Sequence, residues 1–158
     1  MKTPIRLSSS SVGWVVVFAA MFLLLPGVAA AEYASVQRDK VNIRSGPSTN
    51  NEILWEVFRG FPLKILERKG DWARIIDFED DKGWIYAPLI DGTKRVIVRV
   101  KLANLRVGPS TNYEVVATVR YGVVFEPLER RRDWIKVQHA DGTVGWMSDS
   151  LLWPSDII

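Results

Sequence analysis

Beyond Ala31 the chain alternates apolar and polar residues over short runs, and no stretch keeps the three-to-four spacing of an amphipathic helix. In ILWEV, Ile53, Trp55 and Val57 fall on one side, with Leu54 and Glu56 on the other, which predicts a strand carrying Trp55 in the core. Val115, Ala117 and Val119 fill the same slots later in the chain. Ile43 and Leu105 read as core residues of another strand, with Asn42 and Arg44 pointing away. PLKILER and FEPLER keep the period of two, and Pro127 predicts an edge or a bulge in the second. WARII and WIKVQ put Ala73, Ile75, Ile135 and Val137 inward, leaving Trp72 beside Arg74 and Trp134 beside Lys136 on the opposite face. Ile85 and Met147 also point inward, so Trp84, Tyr86 and Trp146 point out.

These paired strands belong to a duplication. NIRSGPSTN at Asn42 returns as NLRVGPSTN at Asn104, an offset of 62 residues. Without any gap the same offset aligns Gly60 with Gly122, Leu66-Glu67-Arg68 with Leu128-Glu129-Arg130, Asp71-Trp72 with Asp133-Trp134, Gly83-Trp84 with Gly145-Trp146, and Leu89 with Leu151. Two units follow, at 34–91 and 96–153, with a short join near Asp91 to Arg95. In the repeated phrase Gly46 is expected to adopt a torsion that a side chain resists, Pro47 to fix the next residue, and Ser48, Thr49 and Asn50 to bond the turn's backbone. Asp141-Gly142 predicts a tight hairpin. Five short strands in about 55 residues lie near the lower limit for an independent core, and a small curled antiparallel barrel is the economical solution.

The N-terminus has a different composition. Lys2 and Arg6 precede an apolar run from Val12 to Leu25, then Pro26-Gly27 and three alanines at 29–31. This is the pattern of a secretory signal helix, residues 1–31, cleaved before Glu32. The apolar run is short for the roughly 20 residues that span a bilayer, so a membrane is a partner only if the segment is retained. Periplasmic or secreted localisation is expected. The chain has no cysteine, which excludes disulfides, thiol catalysis and cysteine-held metal. Lys2 and Arg6 carry two of its three excess positive charges, and the remaining charge is too sparse for a nucleic-acid face.

NIRSGPSTN, a glycine turn, GDWARI and KGWIYAPLI, in that order, resemble the bacterial SH3 family, SH3b; NLRVGPSTN, RDWIKV and VGWMSDSLL resemble it equally. The resemblance covers almost the whole chain after the signal segment. It implies an all-β protein of two tandem SH3-like small β-barrels, non-catalytic, binding cell-wall peptidoglycan or an envelope protein. It also implies that Trp72 and Trp134 line the ligand site. Few residues follow Leu152, so a hydrolase joined behind the second unit is not expected.

Two roles suit the outward tryptophans. They cap the barrels and give Arg44 and Arg106 a stacking surface, or they form a shallow aromatic groove for a peptide or glycan. The candidate ligand-binding set is therefore Trp72, Trp134, Trp84, Trp146, Tyr86, Arg44 and Arg106. No catalytic residue, metal site or cofactor is expected: His139, the only histidine, reads as a solvated loop residue without a partner. Glu79-Asp80-Asp81 and Arg130-Arg131-Arg132 read as solvated charge clusters. The expected function is a secreted, non-enzymatic binder of a peptidoglycan stem peptide or an envelope-protein segment. The alternatives are an adaptor packed on a fixed envelope partner and, further off, a wall hydrolase.

Overall fold

The computed structural model describes residues 31–158, so the expected signal segment lies, but for Ala31, outside the described residues. The described chain is all-β, with two one-turn 3-10 segments at Ala87–Leu89 and Asp149–Leu151. The first unit contains β1 (Glu32–Val36), β2 (Val41–Arg44), β3 (Ile53–Val57), β4 (Pro62–Lys69), β5 (Trp72–Ile76), β6 (Lys82–Tyr86) and β7 (Ile90–Asp91). The second repeats it as β8 (Val96–Val98), β9 (Leu102–Arg106), β10 (Val115–Arg120), β11 (Val124–Arg131), β12 (Trp134–Gln138), β13 (Val144–Ser148) and β14 (Leu152–Trp153). Each unit is one antiparallel sheet, ordered β3-β2-β6-β5-β4-β1-β7 and β10-β9-β13-β12-β11-β8-β14.

Two expectations are corrected here. Each unit has seven strands rather than five: β7, β8 and β14 are only two or three residues long, and β1 buries Ala34, Ser35 and Val36 in succession, so neither kind shows a clear alternation. Nor do the sheets close into barrels: among the described residues no ladder joins β3 to β7 or β10 to β14. Each is an open sheet curled around its core, and a bulge at Leu66 in β4 and at Leu128 in β11 helps bend it. Pro127 stands beside the second bulge. It is tolerated there because β8 pairs with β11 only at Val124 and Phe125, so no ladder bond is asked of its missing N–H.

The inward alternation holds for Ile43, Ala73, Ile75, Ile85, Leu105, Ile135, Val137 and Met147, all buried. Trp55 is half-buried and packs on the first core, as expected. Ile53 does not: it is 49 % exposed. Ile43 pairs with Trp55 but Arg44 pairs with Ile53, so Leu54 is an extra residue that turns Ile53 to the outer face. Val116 does the same to Val115 in the second unit.

The two units are docked. Val96 and Val98 enter the second core, while Ile97 between them, completely buried, belongs to the core of the first. Val124 and Trp153 pack against that same core. Phe78 lies 5.8 Å from Phe61 and 5.2 Å from Tyr121, and Tyr33 meets Trp153 edge-on at 6.0 Å. Two hydrogen bonds complete the joint: Tyr33 Oη donates to Asp156 at 2.7 Å, and Tyr121 Oη donates to Glu79. The joint is asymmetric, because the copies differ where they meet: Ser35 stands where the second unit has Ile97, Arg59 where it has Tyr121, and Asp91 where it has Trp153.

Candidate functional site

The β5–β6 ladder sets Trp72 directly opposite Tyr86, with ring centroids 5.7 Å apart at 62°. Two residues along, Arg74 pairs with Trp84, and Trp84 pairs in turn with Arg44 on β2. Sheet pairing therefore gathers Trp72, Tyr86, Trp84 and Arg44 on one outer face. Trp72 and Trp84 are half-buried and Tyr86 is exposed.

Arg44 also shapes the loop beside this face. Its Nη1 donates to the carbonyls of Thr49 at 2.9 Å and Asn51 at 2.8 Å, drawing the NIRSGPSTN excursion back onto β2. Gly46 serves space rather than torsion. Its φ lies outside the left-handed region, and a Cβ there would stand 2.7 Å from the Asn51 side chain. Ser48 Oγ accepts from the Asn50 N–H at 3.2 Å, as the turn chemistry predicted.

A groove of about 200 Å³ runs between this loop and the aromatic pair. Trp72, Tyr86, Leu89 and Val41 give it an apolar wall, and Arg44, Arg38 and Lys40 give it cations. Asp39, between the last two, faces elsewhere: its Oδ1 accepts the Arg59 N–H at 2.9 Å. Lys40 is held at φ +57°, a left-handed conformation uncommon for a residue with a side chain. Sequence reasoning missed Arg38 and Lys40, which lie in a loop without periodicity. The signal was in the duplication, where QRDK at Gln37 aligns with RVKL at Arg99.

The second unit keeps Trp134 and Arg106 but builds a different face. Ser148 stands opposite Trp134, where the first unit has Tyr86, and bonds Ser150 at 2.9 Å. Val100 and Leu102 replace Arg38 and Lys40, and Leu102 is 63 % exposed. Trp146, expected to point out, sits on the outer face but is buried, with the Arg131 guanidinium 5.3 Å above its ring. Arg106 Nη1 donates to the Tyr113 carbonyl at 2.7 Å and closes the second excursion.

The expected solvated clusters make specific contacts. Arg130 pairs with Asp149 and Arg131 with Glu129, and Arg130 also donates to the Ser155 carbonyl. Glu79 accepts from Tyr121 at the joint. His139 is half-buried rather than free in solvent: Nδ1 is 3.1 Å from Asp141, and its ring lies 5.5 Å from Phe125. The Thr143 backbone and side chain, with His139, hold the Asp141 carboxyl down to about 2. Among the described residues no group of three or more His, Asp or Glu side chains is placed to hold a metal ion.

A larger cleft, about 900 Å³, opens between the units past Phe58, Arg59, Arg95, Glu126 and His139. Its polar groups largely satisfy one another: Arg95 pairs with Glu126 at 3.1 Å, Ser35 donates to Asp91 at 3.3 Å, and Gln37 donates to the Ile90 carbonyl at 3.1 Å. A polar ligand there would have to displace these bonds. The first unit's groove leaves its cations unpaired, so it is the better candidate.

The architecture is that of two SH3-like units in tandem. The family described as bacterial SH3 domain matches residues 37–92 and again 99–154, and the chain belongs to that family as two consecutive copies. A relative from Bacillus subtilis (strain 168), named "Putative N-acetylmuramoyl-L-alanine amidase YrvJ", is 30 % identical over 141 residues, covering 82 % of this chain and 27 % of its own length. The chain thus spans about a quarter of that relative. Two solved structures are similar at 13 % identity and a TM-score of 0.36: NlpC2 from Trichomonas vaginalis, over 77 % of this chain and 47 % of that one, and an NlpC/P60 family protein from Bacillus cereus, over 76 % and 55 %.

Proposed function

We propose that the chain is a non-enzymatic binding protein of the bacterial cell envelope and that the first unit engages the wall through the Trp72–Tyr86 groove. The observation that carries this reading is the pairing of half-buried Trp72 with exposed Tyr86 beside unpaired cations on one sheet face. Aromatic side chains supply large contact area with few torsions to freeze, which suits a shallow site. Membership of the bacterial SH3 family and a relative named "Putative N-acetylmuramoyl-L-alanine amidase YrvJ" support the wall as the setting. The signal-like N-terminus supports a periplasmic or secreted location. A binding role rather than hydrolysis is supported by the lack of cysteine and by a single histidine engaged with Asp141.

The adaptor reading has its own support in the second unit. Leu102, Val107, Val115 and Val116 are all exposed there, apolar surface that a protein partner could cover. Sedimentation with insoluble peptidoglycan separates the readings. The wall-binding reading expects the two-unit chain to pellet with the wall, Trp72→Ala to abolish this, and Trp134→Ala to leave it. Failure to pellet, with capture of one defined envelope protein, favours the adaptor; release of soluble wall fragments favours a hydrolase.

A further inference from the structure

We propose that the first unit's groove selects a peptide carrying a free carboxylate, with the anion held by Arg38 and Lys40 and the rest of the peptide lying on Trp72 and Tyr86. The proposal rests on the wall-binding reading and names the ligand class of that same site. Three observations carry it.

The groove's charge is of one sign. Arg38, Lys40 and Arg44 line it with no acidic side chain, and among the described residues none of the three forms an ion pair. The carboxylate nearest in sequence, Asp39, is fastened to the Arg59 backbone on the other side of the loop. Cations left unpaired beside an aromatic wall complement an anion and exclude a cation.

The second copy serves as an internal control. It shares the sheet, the excursion, the tryptophan and the arginine, so none of these requires Arg38 or Lys40. At the same two positions it carries Val100 and Leu102, and it lacks the tyrosine as well. The cations at these positions and the second ring are present together in one unit and absent together from the other.

Lys40 is held in a left-handed backbone that glycine would occupy without strain. Its side chain is exposed and takes no part in the core. The exposed side chain is therefore available to a ligand in the groove.

The test uses the chain from Glu32 onward, carrying both units, and two synthetic peptides: N-acetyl-Ala-Glu-Lys-Ala-Ala with its carboxylates free, and the same peptide with Gln for Glu and a C-terminal amide. Affinity is read by calorimetry at millimolar peptide. The acid form is expected to bind about five- to tenfold tighter, the range of two exposed charge pairs. The preference should vanish in Arg38→Gln/Lys40→Gln. Lys40→Gly should lower affinity for the acid peptide while leaving the melting temperature equal or higher, an outcome a structural role for Lys40 does not give. Equal affinity for the two peptides, or binding of neither, overturns the proposal. If wall sedimentation still depends on Trp72 in that case, the wall-binding reading stands without it; if sedimentation is absent too, both fall.

Discussion

Trp72 and Trp134 occupy the same register position in their two sheets, yet Trp72 faces the Tyr86 ring at 5.7 Å and Trp134 faces Ser148. The duplicated fold thus carries one aromatic pair and one lone tryptophan. Tyr86→Ser in the first unit copies the second unit's arrangement without touching the core, because Tyr86 is exposed. This substitution is expected to weaken wall binding at least tenfold, the loss of a central aromatic contact of about 1.4 kcal/mol or more. Ser148→Tyr in the second unit, lacking the cations, is expected not to create a second site. Sedimentation against a wall titration reads both.

Ile97 makes the tandem one body. Completely buried in the neighbouring unit's core, it is the residue whose loss should separate the two. Ile97→Ala is expected to cost about 2–5 kcal/mol, the range for truncating a buried aliphatic side chain. In urea the native chain should unfold in one transition and the variant in two, since the units would no longer support one another. A single unshifted transition in the variant would remove the case for a rigid joint.

The joint should also loosen at high pH. Tyr33 is raised from 10.0 to about 12 by burial, by its hydrogen bond to Asp156 and by that carboxylate's charge. Tyr121 is raised to about 12 by burial and then by Glu79. In both, folding favours the neutral phenol, so the contribution is complete below pH 10 and is lost as pH rises toward 12. Small-angle scattering across that window is expected to show the chain extending, and Tyr33→Phe/Tyr121→Phe should flatten the change.

Gly83 and Gly145 precede the tryptophans of β6 and β13 for a steric reason. A Cβ on Gly83 would overlap Ile43, and one on Gly145 would overlap Leu105 and approach the Arg106 carbonyl at 2.9 Å. Gly145→Ala is therefore expected to destabilise the second unit by about 1–3 kcal/mol, measured by urea denaturation. A neutral result would mean that β9 and β13 can part at little cost.

The duplication's register, the buried faces of β5, β6, β12 and β13 and the outward Trp72, Tyr86 and Arg44 were all legible in the sequence, because strand alternation reports directly on faces. Ile53 was misread because a bulge is set by hydrogen bonding between strands, and a bulged run looks like any other alternation. Ile97 was hidden for another reason: VIV reads as core, and nothing in the triplet says that its middle residue serves a different core. Trp146 was correctly placed on the outer face, but its cover by Arg131 comes from the end of β11, beyond the reach of local pattern. Arg38 and Lys40 sit in a turn, where charge is ordinary, and only their contrast with Val100 and Leu102 singles them out.

Ligand binding through a single face, on the first unit, should move only that face's signals. Amide and indole chemical shifts of the two-unit chain, followed while soluble wall-derived muropeptides are added, test it most directly. Shifts are expected at Trp72, Tyr86, Arg38 and Lys40 that saturate together, with Trp134, Trp146 and Ser148 unmoved. Equal shifts around Trp134, or shifts confined to Phe58 and His139 in the cleft between the units, would contradict it.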